Sequence, residues 1–272
     1  MNKRHIAAVA GASAVSARPA QRPAQNTTAM LRRACRKSTL MRCGLTCGTA
    51  CALSVASRCF TRRTLATLPG APRLPPFVPP HLDAAQEALF NDIVDTRLHI
   101  IGREALFDEA GALRGPWNPE VASPALGRHL ERFATAVRSE NSLEARVYEV
   151  AILVVGVHWR AQFEWYAHEK IARDAGVPEA ALPLIKAAAP ADELARVLRP
   201  DELAVYKLSL ELMETKRVSA ATYAETKAAL GNDDRKMADL SLTLGCYGAV
   251  STLLNMFEVP VPTGEPLPFP AQ

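Results

Sequence analysis

Glu164 and His168 stand four residues apart in HWRAQFEWYAHEKIARDAG (158–176). Positions four apart share one face of a helix, so this carboxylate and this imidazole can meet. A carboxylate raises the pKa of a neighbouring imidazole, and partial burial raises that of the carboxyl. Such a pair can hold a proton near neutrality and pass it to or from a substrate carbon. The competing reading is an ordinary surface pair worth a few tenths of a kcal/mol. The bulky neighbours Phe163, Trp165 and Tyr166 tell against a freely solvated helix. Glu149 is the third candidate, because it precedes AILVVGV, one of the most apolar runs in the chain. A carboxylate there must be paired, protonated or solvated in a cavity. The simplest partner is Arg146, three residues earlier.

Other side chains invite weaker readings. His158 lies six residues before Glu164, on the opposite side of an uninterrupted helix. It joins the site only if the chain breaks or bends near Trp159. Trp159 and Trp165 fit core or subunit-interface anchors as well as pocket walls. Tyr247 could offer its hydroxyl to a pocket or bond a buried carbonyl. Cys246, in GCYG, reads as a small buried hydrophobe before it reads as a nucleophile. A metal competes for Glu149, Glu164 and His168, but helical-bundle sites use Glu-x2-His and repeat it. The spacing here is one residue longer and is not repeated, so no metal is assigned.

The elements that would position these groups are helical. Helices are expected over 82–97, 125–138, 143–157, 158–176, 178–188, 201–214, 219–230 and 233–257, about eight in all. Residues 102–124 read as a long loop, and such loops tend to be functional or oligomer-contacting. No alternating apolar pattern suggests a sheet, and no glycine-rich phosphate loop appears. Glu149 and Asp239 each precede a long apolar helix, a faint echo that spacing alone does not make a repeat. The expected organisation is a basic leader over 1–67, a proline-rich linker over 68–81, an all-α domain over 82–266 and a tail over 267–272.

The charge is segregated along the chain. Residues 1–82 hold 13 Lys/Arg and no acid; the remainder holds 32 − 13 = 19 Lys/Arg and all 28 acids, a balance of −9. An acidic domain suits nucleic acid poorly, since phosphate contacts need clustered Lys/Arg. The leader is Arg- and Ser-rich, acid-free and expected to be disordered, the composition of an organelle transit peptide, here mitochondrial. A start at Met30 or Met41, a plain unstructured extension, and a secretory signal from Met41 stay open, so cytoplasmic and secreted locations stay open too. No stretch reaches about 18 uninterrupted strongly apolar residues, so no membrane span is expected. Five of the six cysteines lie in the leader, leaving Cys246 alone in the domain.

LEARVYEVAILVVGVHWRAQFEWYAHEKIARDAGVPEAAL resembles the carboxymuconolactone decarboxylase and alkyl hydroperoxidase D superfamily, in which an acid opens an apolar helix and the next helix carries a histidine. LRGPWNPEVASPALG before it and LSLTLGCYGAVSTLLNMFEVPVPTGE after it extend the resemblance over roughly 83–266. It implies an AhpD-like all-α fold and a homotrimer or homohexamer. The peroxidase branch places a Cys-x2-Cys pair between the acid and the histidine, where this chain has Ala161 and Glu164. Disulfide cycling needs both thiols, so a peroxiredoxin-like antioxidant activity is disfavoured. Glu164 with His168 is instead similar to the Glu-x3-His of the decarboxylase branch, which acts on a small lactone acid without a cofactor. The resemblance makes His168 the proton donor, Glu164 its partner or a second acid/base, and Glu149 a support. A non-catalytic helical oligomer is the remaining reading.

Overall fold

The computed structural model describes residues 71–271, so the expected targeting leader and the start of the linker lie outside the described residues. Eleven α-helices follow in order: α1 (Ala84–Ile101), α2 (Arg103–Leu106), α3 (Trp117–Ala122), α4 (Pro124–Ser139), α5 (Ala145–Trp159), α6 (Gln162–Asp174), α7 (Ala181–Lys186), α8 (Ala191–Leu194), α9 (Pro200–Thr215), α10 (Ala220–Ala229) and α11 (Asp234–Met256). Among the described residues there is no strand, only a single bridge between Phe107 and Leu113. The eight expected helices are present, and α2, α3 and α8 are additional. Residues 102–124 are therefore not a plain loop. Leu106, Leu113 and Val121 are buried with Leu89, Phe90 and Ile93 of α1 in a small core of their own. Their apolar residues are too sparse to show helical periodicity in sequence.

The apolar run after Glu149 makes α5 the central helix, with every residue from Val147 to Gly156 buried. A helix apolar on all sides must be covered on all sides. Val147, Ala151, Ile152 and Val155 meet Val205 and Leu208 of α9 and Leu240 and Leu244 of α11. Val150, Leu153 and Val154 meet Trp165 and Ala172 of α6 and Leu182 and Ile185 of α7. By length and composition α11 could cross a membrane, a property the sequence reading did not credit; half of its apolar window is buried within the domain.

The stretch 158–176 is not one helix. Arg160 adopts the left-handed conformation (φ 48°, ψ 37°) and ends α5, and extended Ala161 starts α6. The amide of Ala161 donates to the carbonyl of Gly156 at 3.0 Å, closing the turn. The reversal lays α6 against α5, so residues 19 apart in sequence come into contact.

Both proline-rich ends dock on the helices. Asn118 accepts from the amide of Phe77 and donates to the carbonyl of Pro75. Gln162 bonds both the amide and the carbonyl of Phe269, whose ring meets Trp165 edge-on at 5.9 Å.

Candidate active site

α5 contributes Glu149 near its start, α6 contributes Glu164 and His168, α11 contributes Cys246 and Tyr247, and α4 contributes Arg138. Nδ1 of His168 lies 2.7 Å from Oε2 of Glu149, and Nε2 lies 3.4 Å from Oε1 of Glu164. One imidazole thus bridges two carboxyls. All three are buried, with Glu149 fully enclosed, Glu164 3 % exposed and His168 7 % exposed. The ring of Tyr247 meets His168 edge-on, with centroids 4.9 Å apart. The sequence spacing led to the Glu164–His168 pair; the fold adds Glu149, the shorter contact of the two.

Burial pushes the Glu164 carboxyl up to about 7; His168 pulls it down, Glu149 pushes it further up, and Arg138 lowers it. Its Oε1 has no hydrogen-bond partner of good geometry. A carboxyl in that state can hold or release a proton at neutral pH. Burial raises Tyr247 well above the usual phenol range, so its hydroxyl stays protonated. Burial and the acids Glu164 and Glu120 push the Cys246 thiol up to about 12. Cys246 is fully buried, as a small hydrophobe would be.

The other expected residues fall elsewhere. The chain does break beside Trp159, yet His158 is not delivered to the imidazole of His168. It lies 3.2 Å from the Lys216 amine and lines a separate cleft of about 110 Å3 with Val154, Tyr206 and Glu214. Burial and Lys216 lower its pKa. Trp159 is 38 % exposed rather than a core anchor, and its carbonyl accepts from Asn255. Trp165 is a fully buried core residue whose indole N–H has no partner, with the Lys186 amine over its ring. Arg146 does not pair with Glu149, because it is committed to Glu144, Asp201 and Glu202. Asp239, the faint echo of Glu149, instead accepts from the amide and hydroxyl of Ser142 and anchors the turn before α5.

Two charged groups near the site were not singled out from sequence. Arg138 reaches Glu149 at 3.5 Å. Glu120, on α3, is 2 % exposed and pushed up to about 8 by burial and by Glu131, against the pull of Arg97. Both belong to faces whose burial follows from tertiary packing. For Arg138 a signal existed: it falls seven residues after buried Glu131, on the face of α4 that carries Gly127 and Ala134. A cleft of about 150 Å3 between the proline-rich segment, residues 108–119 and residues 257–260 does not include the histidine or either carboxyl. Among the described residues no group of three His, Cys, Asp or Glu is arranged to hold a metal ion.

The helical arrangement recurs in solved structures. The structure of an alkylhydroperoxidase AhpD core from Ralstonia eutropha, described as an uncharacterized peroxidase-related protein, superposes with a TM-score of 0.54 at 14% identity, covering 71% of this chain and 93% of that one. The chain has the AhpD-like fold. An uncharacterized peroxidase-related protein from a Silicibacter species superposes with a TM-score of 0.50 at 12% identity, covering 71% of this chain and 92% of that one. At such identities the AhpD-like likeness concerns the fold alone. No protein-family model and no curated protein matches the sequence.

Proposed function

We propose that this AhpD-like protein is a cofactor-independent carboxy-lyase, or a related isomerase, acting on a small lactone or carbonyl acid by proton transfer at His168. The observation that carries this reading is the imidazole bridging two buried carboxyls, Glu149 at 2.7 Å and Glu164 at 3.4 Å. Glu149 accepts the Nδ1 proton, which fixes the tautomer and the ring orientation. Nε2 is then the atom that exchanges a proton with substrate, and Glu164 is the second acid/base beside it. In the lyase direction the bond from carbon to the carboxylate breaks, CO2 departs, and the electron pair left on carbon takes the Nε2 proton of the doubly protonated imidazole, leaving the neutral Nδ1–H ring. Glu164, raised toward neutrality, passes its carboxyl proton to Nε2 and regains one from solvent.

A thiol route is disfavoured on the same geometry. Ala161 and Glu164 occupy the positions expected of the two redox thiols, and Cys246 is a buried thiol with a raised pKa. A non-catalytic helical oligomer that kept the fold and lost the chemistry is the competing reading. The resemblance supports a homotrimer or homohexamer, and the composition of the leader supports mitochondrial import.

The test is a screen of lactone acids and β-keto acids for CO2 release, with hydroperoxide consumption measured in parallel. An accepted substrate should lose at least about 100-fold in turnover in His168→Gln. Turnover that survives both His168→Gln and Glu164→Gln overturns the proton-transfer reading, and hydroperoxide reduction without CO2 release replaces it.

A further inference from the structure

Arg138 links the bridged imidazole to the surface through Glu149. It lies on the face of α4 turned toward α11, and its side chain is 31 % exposed while its partner Glu149 is fully buried. Among the described residues its one ion pair is the contact to Glu149 Oε1, at 3.5 Å, longer than a well-formed charge-assisted hydrogen bond. Glu149 is meanwhile held by His168 at 2.7 Å through its other oxygen, so it does not depend on Arg138 for a partner. Burial works against the Arg138 charge, but the carboxylate of Glu149 and a hydrogen bond to the Tyr247 hydroxyl hold the guanidinium protonated. A guanidinium carries five N–H donors in a fixed fork that matches a carboxylate. Among the described residues the fork meets Glu149 and the Tyr247 hydroxyl, which leaves N–H donors over for a ligand.

Resting on the proton-transfer reading, we infer that Arg138 is the substrate-binding residue of this site and takes the carboxylate of a small organic acid in a bidentate pair, placing the body of the acid against Tyr247 and His168. A carboxylate clamped in this way is stabilised as the anion, so the group held by Arg138 is one that the reaction leaves in place. The same assignment gives the enclosed site its direction of access, along the Arg138 side chain between α4 and α11. Arg138 departs from Glu149 to meet the ligand, and Glu149 keeps its bond to His168.

The test uses the full chain, with benzoate as the anionic probe and benzamide as its neutral counterpart, both followed by calorimetry. Wild type should bind benzoate at least about 10-fold more tightly than benzamide. Arg138→Gln should lose about 10- to 100-fold in benzoate affinity and leave benzamide unchanged. Arg138→Lys, which keeps the charge but not the fork, should fall between the two, and it decides the question if Arg138→Gln does not fold. Benzoate binding equal in wild type and variants, equal affinity for benzoate and benzamide, or no benzoate binding by wild type each overturns the assignment. The two readings fail separately. An absence of any turnover by wild type with intact benzoate discrimination removes the lyase and keeps the anchor. Turnover of a carboxylate substrate with an unchanged KM in Arg138→Gln removes the anchor and keeps the lyase.

Discussion

Glu164→Gln isolates the electrostatic cost of holding a carboxyl beside His168. Burial raises the Glu164 pKa from 4.5 to about 7. A carboxyl whose folded pKa lies above its unfolded value binds protons more readily in the folded state, so stability falls as pH rises through that window. A shift of about 2.5 units corresponds to ~3 kcal/mol once the group is fully ionised. Most of that develops between pH 5 and pH 8, where the loss should be ~2.5 kcal/mol. Glutamine keeps the shape of the side chain and removes the titration. Whatever a buried amide costs there is independent of pH, and Glu120, which is also raised, titrates equally in both proteins and cancels. The assay is urea unfolding of wild type and variant at pH 5, 6, 7 and 8, at one protein concentration because self-association would shift the apparent stability. The difference between the two proteins should move in favour of the variant by ~2.5 kcal/mol across that range. Parallel curves, within about 0.5 kcal/mol from pH 5 to pH 8, would refute the claim that Glu164 is a buried acid titrating near neutrality.

Two further outcomes follow from packing. A Cβ added to Gly127 would lie 2.2 Å from the carbonyl oxygen of Glu120, and neither backbone can move without separating α3 from α4. Gly127→Ala should therefore cost about 1–3 kcal/mol or more in chemical denaturation, and a loss under about 0.5 kcal/mol would show that this junction yields easily. Cys246, buried with its pKa pushed up to about 12, should resist a thiol reagent such as dithionitrobenzoate at pH 8 in the folded protein and react on unfolding in urea. Rapid reaction of Cys246 in the native state, read by peptide mass mapping to separate it from the other cysteines, would contradict its burial.

The helices were legible wherever the apolar period was strong. The run after Glu149 identified α5 as central, because ten buried residues in succession leave no solvent-facing side. The Glu164–His168 pair was legible too, since helical spacing of four is fixed by local geometry. Arg160 defeated the reading of 158–176 as a single helix: its left-handed conformation is paid in backbone strain by a non-glycine residue, and no turn residue announces it. The short helices α2, α3 and α8 were hidden because they bury isolated side chains rather than a periodic face.

The sequence by itself determined an all-helical domain, a segregated charge, one thiol in that domain and an acid–imidazole pair on one helix. Only the tertiary structure decided the partners. Glu149 took His168 rather than Arg146 because Asp201 and Glu202 on α9 claim Arg146. His158 went to Lys216, and Arg138 and Glu120 came to the site from α4 and α3. The physical reason is range. Helical periodicity follows from neighbours within four residues, whereas the partner of a buried charge is set by which distant helix excludes water from it and which side chain reaches it first.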